Sequence, residues 1–269
     1  MAMLSFAQLT DLHLLPPGER IYGRDPAENL RAAVADIAAR HAKDGPAPLD
    51  CAVLTGDLSH HGTPEAYRLL KDCLAALPCP AYCLLGNHDD RAIFRQVFPE
   101  AAADAHGFIQ QAVPTPLGRL LLLDTHEPGT VKGRLCARRL GWLAERLAEA
   151  DDPVFLFMHH TPARIGIPPL DNVGLIDAEA FWEVIAPHRA RIRHLFHGHV
   201  HRPLGGSWRG IPLSCPRALA PQQFALTFTP APKATGIREP AAYAYVRATA
   251  EEVVVHIHDF AGGYETFPL

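Results

Sequence analysis

The chain contains no dense run of lysine and arginine, and its formal charge is only −4 over 269 residues. Polymeric nucleic acid and anionic membrane are held first by clustered cations, so neither is an expected partner. No apolar stretch has the length needed to cross a bilayer, and the opening "MAMLSFAQLTD" reaches a carboxylate before an apolar targeting region develops. The expectation is a cytoplasmic protein. Its six cysteines, Cys51, Cys73, Cys79, Cys83, Cys136 and Cys215, form neither a CxxC pair nor a paired framework. That excludes a thiolate zinc module and leaves them as small apolar side chains. Repeats, heptads and low-complexity tracts are absent as well.

Histidine, by contrast, is plentiful, with 16 residues. In "HLFHGHVHRP", His197, His199 and His201 stand at every second position. Alternate residues of a strand share a face. The stretch therefore reads either as a solvated strand edge or as a metal site, since imidazole is the commonest ligand for zinc, iron, cobalt and manganese.

Several short apolar runs end in polar residues: "LSFAQLTDLH", "CAVLTGDLSH", "AYCLLGNHDD", "PVFLFMHHTP" and "HLFHGHVH". Runs of that length suit buried strands of an α/β layered sheet. Between them lie helical patterns. Asp25 is placed to cap "PAENLRAAVADIAARH", with Glu28 completing a capping box, and Thr63 to cap "PEAYRLLKDCLAAL". Further helices are expected over Arg91 to Phe98, Ala137 to Ala150 and Ala178 to Arg189. Two strands joined by a Pro/Gly turn are expected in "GFIQQAVPTPLGRLLLLDT", a short strand in "SWRGIPLSC" and a closing hairpin over 241–269. The Pro-rich stretch 217–240 is too irregular for a core element. Its alternating Phe224, Leu226 and Phe228 give an extended arm with one apolar face. The reading is one domain, 1–269, with a core over 1–216 and an arm over 217–240 that serves as substrate hood and oligomer contact.

The strand ends carry Asp11-x-His13, Gly56-Asp57, Gly86-Asn87-His88-Asp89, His159-His160 and Gly198-His199-x-His201. Any one of these is more often a turn or a cap. Together they form a carboxylate, imidazole and amide set suited to Mn, Fe, Co or Zn. The ordered set, from Leu4 to about Pro203, resembles the calcineurin-like metallophosphoesterases, whose pattern is D-x-H, G-D, G-N-H-[DE], H and G-H-x-H. The resemblance implies a layered sandwich of mixed β-sheets flanked by helices, with two divalent or trivalent transition metal ions. Asp11, His13, Asp57 and His201 would hold one ion. Asp57, Asn87, His159 and His199 would hold the other, so that Asp57 bridges both and is essential to catalysis. His88 would stabilise the transition state or protonate the leaving oxygen, with Asp89 orienting it or another imidazole. His160, His197 and Tyr22 are candidates for supporting the ligands or touching substrate. His60 and His61 face either the site or a solvated loop.

The chain has "GDLSHHG" and "GNHDD" where the superfamily's protein phosphatases carry G-D-x-x-D-R-G and G-N-H-E, so a Ser/Thr protein phosphatase is not expected. The loops "GERIYGRDPAENL", "GTPEAYRLL" and "HEPGTVKGRL" are similar to the branch that contains class III cyclic-nucleotide phosphodiesterases and bacterial glycerophosphodiesterases. The resemblance implies hydrolysis of a small phosphodiester by attack of a metal-activated hydroxide, and the apolar face of the arm points to a homo-oligomer that is a dimer or larger. The alternatives are a phosphomonoesterase or nuclease of the same fold, or a non-catalytic binding scaffold.

Overall fold

The computed structural model describes residues 2–228 and 234–262, with Glu265 and Phe267. In chain order its strands are β1 (Leu4–Leu9), β2 (Cys51–Thr55), β3 (Ala81–Leu84), β4 (Gln111–Thr115), β5 (Gly118–Leu122), β6 (Val154–Phe157), β7 (Ile192–Phe196), β8 (Leu204–Trp208), β9 (Ile211–Cys215), β10 (Gln223–Phe224), β11 (Gly236–Ile237), β12 (Tyr243–Ala248) and β13 (Val253–His258). β1, β2 and β6 are buried at every residue, which is why their sequences are apolar without alternation.

Two mixed sheets result, with strand orders β13-β12-β1-β2-β3 and β4-β5-β6-β7-β9-β8. β1, β2 and β3 run parallel, as do β5, β6 and β7. One side chain set of each sheet faces the other sheet: Phe6, Val53, Phe155, Phe157 and Phe196 share this central core. The opposite faces are covered by helices. α1 (Pro26–Arg40), α2 (Pro64–Leu74) and α3 (Arg91–Val97) pack on the first sheet, while α4 (Ala137–Ala148) and α6 (Ala178–Ile185) pack on the second; α5 (Pro168–Asp171) is a single turn. This is the layered sandwich of mixed sheets flanked by helices.

Local chemistry sets the element ends. The Asp25 carboxylate accepts from Ala27 N–H (2.9 Å), Thr63 from Ala66 N–H (3.4 Å) and Asp90 from Ile93 N–H (2.8 Å). Among the described hydrogen bonds the Glu28 side chain does not return the expected capping bond. The helix expected to reach Arg189 leaves α geometry after Ile185 and continues as a 3₁₀ turn over Ala186–Arg191, because Pro187 has no N–H to carry the ladder on. "SWRGIPLSC" is the turn of a hairpin, β8 to β9, rather than one strand. Arg209 (φ 52°) and Gly210 (φ 81°) both take left-handed backbone there, the geometry of a tight hairpin turn. The expected closing hairpin forms from β12 and β13, with β12 antiparallel to β1. In the arm, β10 pairs with β11. Leu226 and Phe228 are exposed, and Thr229 and Lys233 lie outside the described residues.

The rings of Phe6, Phe157 and Phe196 clasp the two sheets, with centroids 5.4, 5.2 and 4.9 Å apart. Phe157→Ala is expected to lower the urea unfolding free energy by about 3–5 kcal/mol. A loss no greater than a surface substitution's, about 0.5 kcal/mol, would show that the sheets do not depend on this contact.

Candidate metal centre

The candidate donors follow the carboxyl ends of neighbouring parallel strands: Asp11 and His13 after β1, Asp57 after β2, Asn87 after β3, His159 after β6, and His199 and His201 after β7. Ligands of open α/β sheets collect at such ends. Asp11, His13, Asp57, His199 and His201 all have left-handed backbone, with φ of 51°, 48°, 50°, 69° and 47°. Asp and His tolerate that region better than most residues, though at some cost. These turns break the strand alternation at once. His199 and His201 therefore lie in a loop, not on the strand their spacing suggested. Backbone bonds zip the loops together: Asp11 N–H to Gly56 O (3.1 Å), His13 N–H to Asp57 O (2.8 Å) and Gly198 N–H to His159 O (3.1 Å).

Donor atoms of Asp11, His13, Asp57 and His201 lie within 4.8 Å of one another, as do those of His159, His160 and His199. His13 Nε2 and His201 Nε2 are 3.0 Å apart. Asp57 Oδ2 is 3.4 Å from both His13 Nε2 and His159 Nε2, so Asp57 stands between the two groups. The outer nitrogens are committed to backbone carbonyls: His159 Nδ1 donates to Thr55 O (2.7 Å) and His201 Nδ1 to Gln222 O (3.1 Å). This orients the inner nitrogens as ligating imidazoles are oriented elsewhere. Asn87 Oδ1, His159 Nε2 and His199 Nε2 are buried without a hydrogen-bond partner. Orphaned lone pairs of this kind are costly unless a cation satisfies them, so the residues fit a transition metal.

The electrostatics agree. Burial raises the Asp11 carboxyl, but His201 and His159 beside it bring it down to about 2. Burial likewise works against ionised Asp57, yet His159 and His13 hold it well below the usual carboxylate range. Burial pulls His159 down while Asp57 and Asp11 lift it to about 9, so this field favours positive charge at its inner nitrogen. His199 is pushed by burial to about 3 and keeps a free lone pair.

Residues around the cluster divide clearly. His88 Nδ1 donates to the His60 carbonyl (2.9 Å), and its own N–H donates to Asp57 Oδ1 (2.9 Å). His60 stacks on His88 at 4.9 Å, and its Nδ1 lies 3.0 Å from His13 Nδ1. The sequence left His60 undecided because its role comes from contacts across two loops. Asp89 does not orient His88. Its carboxylate accepts from Leu58 N–H (3.1 Å), Ser59 N–H (3.0 Å), Gly86 N–H (2.9 Å) and Tyr67 O–H (3.0 Å), tying the second and third loops together. His160 bonds Thr125 Oγ1 through Nδ1 (2.8 Å), has a buried, unpartnered Nε2, and shares a group of close donor atoms with His159 and His199. His197 is packed, its Nδ1 on the Gly198 carbonyl (3.0 Å). Tyr22 is 70% exposed and engaged through its carbonyl by Arg238.

A Cβ at Gly198 would fall on Thr10 Oγ1 and lie 3.0 Å from Asp11 Oδ2. Gly198→Ala is therefore expected to weaken metal affinity by roughly 10- to 100-fold, the effect of disturbing a ligand's support. Titration calorimetry with Mn checks this, and unaltered affinity would show that the close approach does not matter.

Residues 4–203 match the family described as calcineurin-like phosphoesterase. The chain is 40% identical over 257 residues, covering 94% of it and 91% of the relative, to a "Probable cyclic nucleotide phosphodiesterase" of Rhodopseudomonas palustris. It is 29% identical, covering 72% of it and 70% of the relative, to a glycerophosphodiester phosphodiesterase of Enterobacter lignolyticus. Among solved structures it shares its fold with a purple acid phosphatase from yellow lupin seeds, at a TM-score of 0.63 and 10% identity, over 97% of this chain and 52% of that one. With the motif residues gathered at one end of the sandwich and the match running through all of them, the chain belongs to the calcineurin-like phosphoesterase family.

Proposed function

We propose that the protein hydrolyses small phosphodiesters at a pair of transition metal ions, one held by Asp11, His13, Asp57 and His201 and the other by Asp57, Asn87, His159 and His199. The observation that carries this reading is the gathering of the donor atoms of Asp11, His13, Asp57 and His201, with His159 beside Asp57 and with Asn87, His159 and His199 left unsatisfied inside the protein. When bound, the metal pair supplies Lewis acidity toward phosphoryl oxygens and lowers the pKa of water toward neutrality. The chain's own contribution is to place the reacting groups. With His88 Nδ1–H donated to the His60 carbonyl, it is the doubly protonated ring that can give the departing alkoxide a proton, from Nε2, and the neutral ring with Nδ1–H retained is what remains. His60 holds that ring from the side and steadies His13 on the other.

Small substrates are favoured by the arm. Phe224 stacks on the His201 ring at 4.9 Å, and Gln222 fixes that ring's tautomer through its carbonyl. We assign the arm beyond Phe224, with its exposed Leu226 and Phe228, as the hood and as the contact between copies of the chain. The cell compartment that fits this soluble substrate class is the cytoplasm.

Metal-reconstituted protein is expected to cleave bis(p-nitrophenyl) phosphate and at least one of cyclic AMP and glycerophosphocholine more efficiently than p-nitrophenyl phosphate, and chelation should abolish turnover. Asp57→Ala should lose metal and activity together. Two retained ions with near-normal turnover in that variant would sink the assignment. His88→Ala should stay metal-loaded while kcat drops by about 10²–10⁴-fold, more for alkoxide than for nitrophenolate leaving groups. Equal losses for both would remove His88 from the role of acid.

A further inference from the structure

Three imidazoles, His159 and His160 after β6 and His199 after β7, are gathered inside the protein. Their ring centroids lie 4.7 Å (His159 to His160), 5.1 Å (His159 to His199) and 4.6 Å (His160 to His199) apart, and their donor atoms are within 4.8 Å of one another. His159 and His160 have no exposed surface, and the Nε2 of each of the three rings is buried without a hydrogen-bond partner. A bare nitrogen sealed from water is costly unless a cation takes it. His159 and His199 belong to the second ion of the proposed pair. His160 has been given no such role, although its Nε2 is in the same condition. A bare nitrogen alone would mean little, since His197 Nε2 is bare as well. Among the described residues, however, His197 joins no group of close donor atoms, and His160 does.

The His160 ring is also supported as a ligating imidazole is. Thr125 Oγ1 lies 2.8 Å from its Nδ1 and accepts its backbone N–H (3.4 Å), so one ring nitrogen is engaged and Nε2 is the one left over, as Thr55 O leaves Nε2 on His159. The loop after β5 presses on the ring: a Cβ at Gly133 would fall 2.4 Å from His160 Cγ. That backbone is itself pinned, Gly133 N–H to Gly174 O (3.2 Å) and Ile176 N–H to Gly133 O (2.9 Å), so the ring cannot swing away on this side. With His160 added, the second donor set becomes three imidazoles, the Asn87 amide and the shared Asp57 carboxylate. The first keeps two carboxylates, Asp11 and Asp57, beside two imidazoles, His13 and His201. Imidazole suits zinc, iron and nickel, whereas oxygen donors suit manganese. The two halves of the centre therefore differ in the metal they favour.

We propose that His160 is a direct donor, through Nε2, to the ion held by His159 and His199, and that this three-imidazole face makes the second site prefer zinc to manganese; the proposal rests on the metal-centre reading above. Cobalt-loaded protein tests it without turnover, because each cobalt-bound imidazole that keeps a ring N–H gives one strongly shifted exchangeable proton resonance. His160→Phe keeps the ring volume without its nitrogens, and it should lack one shifted resonance that the wild type shows. Calorimetry should find zinc affinity at one of the two sites lowered by more than about 100-fold, beyond the loss from disturbing a ligand's support. Manganese affinity there should fall by a smaller factor, and the other site should be unchanged. Thr125→Val, which spares the imidazole but removes its partner, should weaken zinc at the same site by roughly 10- to 100-fold. An unchanged resonance count in His160→Phe, or equal factors for zinc and manganese, would overturn the proposal. If His160→Phe does not fold, unaltered zinc affinity in Thr125→Val would overturn it instead. Two bound ions and diester turnover with an unchanged count would defeat this inference and spare the hydrolase reading. Loss of the resonance in a protein whose wild type turns over no diester would uphold the donor and defeat that reading.

Discussion

Asp11 and Asp57 are sealed from solvent with His13, His159 and His201 turned toward them, and groups so placed can coexist only if positive charge is placed among them. Against the pull of burial, the imidazoles hold both carboxylates low, and Asp57 and Asp11 lift His159. A multivalent cation would satisfy these groups at once, together with Asn87 Oδ1 and His199 Nε2, which have no hydrogen-bond partner among the described residues. The left-handed backbone at five of the donors is the local cost of this convergence. The two sheets, clasped by Phe6, Phe157 and Phe196, hold the loops in place against it.

Rigidity at the site is built from hydrogen bonds that never reach a substrate. Asp89 draws four donors from two loops and from α2, so the Gly56-Asp57 and Gly86-Asn87 turns cannot move separately. A carboxylate buried this way exchanges solvation for directed bonds, and it serves position rather than proton transfer. His60 does the corresponding work on the open side, joining His13 to His88 by ring contact and carbonyl. On the far side Asp124 fixes Arg91 and the backbone of His126.

Asp89, Arg91 and His126 also wall a cavity beside Asn87. The donors that would hold metal arise from the strand ends of both sheets, and the cavity wall shares Asn87 with them while adding residues of the loop after β3, of α3 and of the loop after β5.

The sequence by itself determined the strands, the principal helices, the family and the identity of the clustered donors. It could do so because buried parallel strands are apolar throughout, Pro and Asp or Thr mark helix starts, and the ordered set of Asp, Asn and His motifs at the strand ends resembles a known family's pattern. It did not reveal that His199 and His201 leave the strand, since a left-handed turn at a non-glycine residue has no local signature. The work of Asp89 and His60 was equally hidden: each acts on residues from other loops, and an adjacent His or Asp reads the same whether it faces its neighbour or the backbone 30 positions away. The hairpin at Arg209-Gly210 and the 3₁₀ turn at Pro187 were decided by tertiary packing around weak local signals. So was the cavity beside Asn87, whose walls lie far apart in the chain and become one surface only because the two sheets bring their strand ends together.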